Sequence, residues 1–188
     1  IYQQNEKTDL DCLPDNTRPI DNVQDLQDYA KFVSPHLSHI TQATVSYKDA
    51  HVAAGPTFAR SQIEQMVKVQ DFFLQIDAHT SFVKGWDDLI VAEWNKIGNE
   101  KAVLSTYPAD SEHADASNVP VICATSFLEE DDNFMIKHAA SEAVPTRSQP
   151  YSVPFTGAGF LFHPMSRVRN VPYDPYLPML LDGEEFSM

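Results

Sequence analysis

The segment Phe72 to Ile76, FFLQI, is a nearly continuous apolar run that breaks off into polar residues at Asp77. A run of this length, bounded by Asp71 and by Asp77, is the signature of a buried strand rather than of a half-exposed one. It is flanked by helix patterns. Gly55-Pro56 opens TFARSQIEQMVK, where a proline suits a first helical turn because its missing N–H would have had no partner there. Trp86 to Ile97 carries Trp86, Leu89, Ile90, Trp94 and Ile97 on one stripe, with Asp87, Asp88, Glu93 and Lys96 facing out.

Further elements continue the alternation. Asp21 to Val33 has helical spacing behind an Asp cap, Ile40 to Tyr47 is β-like, and Ala102 to Tyr107 and Val119 to Leu128 read as strands. Pro108 to Asn118 reads as a loop, Glu129 to Asn133 as a short acidic stretch and Pro145 to Pro154 as turns. Val171 to Pro178 holds prolines at 172, 175 and 178, which excludes a regular helix. Helices alternating with strands imply an α/β sheet, with no linker to divide it.

Composition narrows the function. Of 188 residues, 27 are Asp or Glu and 13 are Lys or Arg, a formal net charge of −14. Such a surface repels the phosphates of nucleic acid, and no basic patch offsets it. No apolar run approaches the roughly 20 residues of a membrane-spanning helix. Cys12 and Cys123 do not form a disulfide framework, and a reducing compartment is the simpler reading.

Side chains alternate along a strand, so Asp77 and His79 can point the same way while Ala78 points the other. A carboxylate and an imidazole together suit a divalent cation such as Mn²⁺, and strand ends are where open α/β sheets bind ligands. The bland alternative is an Asp that caps a turn beside a surface His.

Four segments taken in order are far more specific: GPTFAR at Gly55 to Arg60, FFLQIDAHTSFVKGWDD at Phe72 to Asp88, AVLSTYP at Ala102 to Pro108, and VPYDPYLPMLLDGEEFSM at Val171 to Met188. With IYQQN and DCL near the start, they make the chain resemble the cytoplasmic peptidyl-hydroxyproline N-acetylglucosaminyltransferases, retaining glycosyltransferases of GT-A fold. The resemblance implies a single, partial catalytic domain over residues 1–188. Its expected fold is a GT-A-like nucleotide-sugar-binding mixed sheet flanked by helices and truncated at both ends.

The resemblance also implies a UDP-N-acetylglucosamine donor, a divalent metal (Mn²⁺ or Mg²⁺), a cytoplasmic location and a protein acceptor. The acceptor hydroxyl is that of hydroxyproline or Ser/Thr, the family precedent being a ubiquitin-ligase adaptor subunit. No nucleic acid or membrane partner is expected. Asp77 and His79 match the metal element, and His163 is a candidate third ligand, or else an ordinary strand residue. Arg60 corresponds to a donor-site residue, or else to an Arg paired on the surface. Gly55 allows close backbone approach, or simply turns the chain. Gly157 and Gly159 leave room for a sugar ring, or else bend a strand.

Glu184 and Glu185, beside Asp182, correspond to the site's acidic pair, although carboxylates at a helix start need no function. A retaining transfer uses a carboxylate nucleophile or a front-face attack assisted by the leaving phosphate, and the residues leave both open. Trp86 and Trp94 fit a core better than a sugar platform. Tyr173, Asp174 and Tyr176 are candidates for acceptor contact, since aromatic faces stack on sugars and prolines. The alternative to an enzyme is a non-catalytic nucleotide-sugar or protein binding module.

Overall fold

The computed structural model describes residues 2–5, 46–67, 69–77, 80–109, 118–130, 133–145 and 149–180. The expected helix over 21–33 lies outside these residues, as do Cys12, His79, Glu184 and Glu185. Among the described residues there are three β units. Strands β1 (Tyr2–Asn5) and β2 (Ser46–Asp49) pair in parallel. Strands β3 (Phe72–Ile76), β4 (Leu104–Ser105) and β7 (Phe160–Pro164) form a sheet in the order β3-β7-β4. Strands β5 (Asn118–Glu130) and β6 (Asn133–Pro145) form a long antiparallel hairpin.

Helices α1 (Gly55–Met66), α2 (Trp86–Ile97) and α3 (Met165–Asn170) complete the mixed α/β architecture. Both α1 and α2 fall where the sequence predicts them.

The apolar run does form a strand, but it is half-buried and stands at the edge of its three-stranded sheet. The buried strand is β7, antiparallel to both neighbours, and Leu161, Phe162 and His163 along it are buried. The reason is order in the sheet: β7 is paired on both sides, whereas β3 has a described partner on one. Phe72 of β3 stacks on Phe162 at 5.0 Å and meets the Trp94 ring of α2 edge-on at 5.1 Å. The Trp94 indole N–H donates to the Ala102 carbonyl at 2.9 Å. Trp94 therefore belongs to the packing between α2 and the sheet.

The α2 stripe differs from expectation at one position, since Leu89 is 59% exposed. Larger differences occur elsewhere. Strand β4 is shorter than Ala102 to Tyr107, and β5 is longer than Val119 to Leu128. Strand β6 was not expected at all, because Lys137, Ala139, Ala140 and Glu142 are weak strand formers. It is held by its register against β5, which shifts at Ala124. Helix α3 is too short, at 6 residues, to show a period.

Helix α1 buries a polar stripe, Thr57, Ser61 and Glu64. Each member has a partner. The Thr57 hydroxyl donates to the Leu180 carbonyl at 3.2 Å and the Ser61 hydroxyl to the Phe58 carbonyl at 2.7 Å. The Glu64 carboxylate accepts from Arg167 at 2.7 Å and from the Tyr173 N–H at 2.8 Å. The helix thus docks against residues 173–180 through hydrogen bonds rather than through an apolar face.

Burial at β7 makes a stability contrast measurable. Leu161→Ala, at 1% exposure, is expected to lower unfolding free energy by about 2–5 kcal/mol. Leu89→Lys on exposed α2 should stay within about 0.5 kcal/mol of the parent. Urea denaturation of both variants checks this.

Candidate functional site

The end of β3 is built by pairing with the residues just before β7. The Asp77 N–H donates to the Gly159 carbonyl at 3.1 Å, which extends the β3-β7 ladder one step beyond Ile76↔Phe160. Opposed residues of an antiparallel pair point to one face. Asp77 and Gly159 therefore share a face, and a Cβ built on Gly159 would lie 2.6 Å from Asp77 Oδ2. The missing side chain is the space in which the carboxylate sits. The room expected at Gly159 for a sugar ring is filled on that side by Asp77.

Asp77 is half-buried, and among the described residues its carboxylate has neither a hydrogen bond nor an ion pair. Its carbonyl accepts from Thr80 N–H at 3.2 Å, turning the chain directly after the strand. A half-buried carboxylate with no partner among the described residues suits a cation ligand. His79, two residues on, lies outside the described residues. Among the described residues no three His, Cys, Asp or Glu side chains gather as a metal site.

The other candidates are placed elsewhere. His163 pairs opposite Phe73, four positions along β3 from Asp77, which puts it about 13 Å away at the usual strand rise. Its ring stacks on Phe73 at 5.4 Å and its Nδ1 lies 3.1 Å from the Pro164 carbonyl. Nε2 is buried with no partner among the described residues. The structure therefore does not bring His163 to Asp77 and places it within strand β7. Burial lowers its pKa to about 4, the Pro164 carbonyl opposing and Arg167 adding to that shift.

Arg60 stands on the inner stripe of α1, and its guanidinium carbon lies 5.8 Å from the centre of the Tyr173 ring. Arg167 lies over the same ring at 5.2 Å. No hydrogen bond or ion pair among the described residues joins Arg60 to Asp77. Arg60 thus packs over a buried aromatic ring, a contact that neither reading anticipated. Tyr173 is 1% exposed, so it is core and unavailable to an acceptor. Tyr176, by contrast, is 87% exposed, and its N–H is fixed by the Asp174 carboxylate at 2.8 Å.

Gly55 has φ +86°, and a Cβ there would lie 2.7 Å from Met179 Cα. What approaches Gly55 closely is thus the chain's own backbone, with the Met179 N–H donating to Ala54 at 2.8 Å. Gly157 likewise faces Ile122 and the Tyr107 ring.

Two residues of consequence escaped the sequence. Gln75, the one polar residue within FFLQI, donates from Nε2 to the Ala158 carbonyl at 2.6 Å. The Ser105 hydroxyl accepts from Gly157 N–H at 2.7 Å and lies 2.9 Å from the Phe160 carbonyl. A lone amide inside an apolar strand was the available signal for Gln75.

The class so defined is a mixed α/β protein with a strand-end carboxylate that has no partner among the described residues. A model of the family described as Glycosyltransferase (GlcNAc) matches residues 1–188, and the chain belongs to that family of GlcNAc glycosyltransferases. Searches of curated proteins and of solved structures returned no significant match. No helix among the described residues is long and apolar enough to cross a membrane.

Burial of His163 predicts a pH effect. The unfolded imidazole titrates near 6.5 and the folded one near 4, so between these values the unfolded chain binds more protons. Stability is fully retained above pH 6.5 and falls as pH drops toward 4, by about 3 kcal/mol over that window. Burial pushes the Glu64 carboxyl up, a contribution of opposite sign. The quantity to measure is therefore the difference in urea midpoints between pH 7 and pH 5 for the parent against His163→Phe, which should show the flatter dependence.

Proposed function

We propose that the chain is a metal-dependent transferase that moves N-acetylglucosamine from UDP-N-acetylglucosamine to a protein hydroxyl, that of hydroxyproline or Ser/Thr. The observation that carries the metal part is the Asp77 carboxylate, positioned against Gly159 and without a partner among the described residues. Family membership supports the sugar. The donor's leaving group is a diphosphate. A divalent cation, Mn²⁺ or Mg²⁺, bound by Asp77 and His79 supplies positive charge to it.

The remaining work falls to the chain's own residues. Asp77 binds and orients, and Gly159 keeps its carboxylate in one place so that little reorganisation accompanies reaction. Glu184 and Glu185 accept hydrogen bonds from sugar hydroxyls or orient the acceptor. Tyr176, exposed on a loop that Asp174 stiffens, offers an aromatic face to a proline-containing or glycosylated acceptor. In this reading residues 1–188 are part of one GT-A-type catalytic domain acting in the cytoplasm, with a ubiquitin-ligase adaptor subunit as the acceptor precedent.

UDP release from UDP-N-acetylglucosamine, with and without Mn²⁺, tests the reading. Asp77→Ala and His79→Ala should each lose about 100-fold or more of the metal-dependent rate. Gly159→Ala should lose up to about 100-fold by displacing the Asp77 carboxylate, with unfolding little changed because a side-chain end can rotate away. A folded parent that releases no UDP at any metal concentration overturns the transferase reading. Binding of the donor without release would make the chain a binding module.

A further inference from the structure

Backbone pairing accounts for β3-β7-β4 as far as Phe160, with one further backbone bond from Asp77 to Gly159. Residues 157–159 precede β7, yet they are also fastened from both flanking strands by side chains. From β3, Gln75 Nε2 donates to the Ala158 carbonyl at 2.6 Å. From β4, Ser105 Oγ accepts from Gly157 N–H at 2.7 Å. The single Ser105 hydroxyl proton goes to the Phe160 carbonyl at 2.9 Å or the Gly157 carbonyl at 3.2 Å. The turn is closed on itself by Phe160 N–H donating to Gly157 at 3.3 Å.

These bonds converge on the turn that contains Gly159, the residue opposite Asp77. Gly159 provides both the carbonyl that accepts from Asp77 N–H and the bare Cα against which the carboxylate rests. A shift of a few tenths of an ångström in the turn would therefore move the carboxylate or give it a second position.

We propose that Ser105 and Gln75 are positioning residues that fix the Asp77 carboxylate through the 157–160 turn, and thereby set the affinity of the cation site. The cation part rests on the function proposed above; the fixing of Asp77 does not. Groups that orient a ligand without touching the metal commonly govern affinity by 10- to 100-fold.

The test uses the full chain and its Ser105→Ala, Ser105→Thr and Gln75→Met variants, with two readouts besides activity. One is the hydrogen-exchange rate of the Asp77 amide, which reports its bond to Gly159. The other is Mn²⁺ affinity, from the paramagnetic resonance signal of the free ion. Ser105→Ala and Gln75→Met should speed exchange at Asp77 by about tenfold and weaken Mn²⁺ by about tenfold. Ser105→Thr, which keeps the hydroxyl, should restore both.

Unchanged exchange at Asp77 in both variants overturns the positioning role, whatever the metal does. Faster exchange with unchanged Mn²⁺ affinity overturns its effect on the site. A parent that binds no Mn²⁺ defeats the proposed function instead, and the exchange rates then decide the positioning role alone. Global loosening would speed amides throughout α2 as well, and that pattern counts against the proposal.

Discussion

Strand β7 lies between β3 and β4, and its placement there is the constraint from which the rest of the described structure follows. Flanked by strands on both edges, β7 has neighbouring side chains on both sides of each of its own, and Leu161, Phe162 and His163 along it are buried. The residues entering β7 are then carried to the C-terminal end of β3, opposite Asp77. Those leaving it enter α3, where Met165 N–H donates to the Asp71 carbonyl at 2.9 Å at the opposite end of β3. One antiparallel pairing thus separates the Asp77 carboxylate from the polar cluster around Tyr173.

That cluster is costly to bury and correspondingly demanding. Glu64, at 5% exposure, has its carboxyl pushed up by desolvation, which outweighs the Tyr173 N–H and Arg167 that favour its charged form. A buried pair of this kind contributes little net stability compared with an apolar replacement, but removing one partner leaves the other charge uncompensated. Its value lies in geometry. Glu64 holds the backbone of Tyr173 and the side chain of Arg167 at once. Together with Thr57 at Leu180 and Ala54 at Met179, it fixes the course of residues 173–180 along α1. Gly55 completes this contact, because any side chain there would meet the Met179 backbone.

Local chemistry decided how much of this could be read from the chain. Helix α2 was legible through the spacing of Trp86, Ile90, Trp94 and Ile97, and α1 through its opening Gly55-Pro56. Strand β3 was legible as a strand but not as an edge, since an apolar run does not say on how many sides it is paired. Strand β6 was hidden because Lys137, Ala139, Ala140 and Glu142 interrupt its strand formers and its partner supplies the order. At the site, Asp77 could be found from its position after the apolar run. Its relation to Gly159 could not, because that contact depends on the antiparallel register of β7. The contact of Arg60 with Tyr173 was hidden for the same reason, since Tyr173 is held by Glu64, 109 residues before it.

The two glycines that matter most do opposite work, and the difference bears on the chemistry. At Gly55 the absent side chain lets backbone meet backbone, so the contact is rigid and a substitution has nothing flexible to displace. At Gly159 it lets a carboxylate lie against the turn, and a substitution would push aside the free end of Asp77 while leaving the ladder intact. The first position secures the chain's course and the second sets the place of a charge. A half-buried carboxylate gives up part of its hydration on folding. Gly159 gives it no hydrogen bond in return, only space and a fixed wall. An apolar residue at position 77 would meet that wall at less desolvation cost, so packing does not account for a carboxylate there. The function proposed above gives that carboxylate a divalent cation as its partner, since none of the described residues pairs with it.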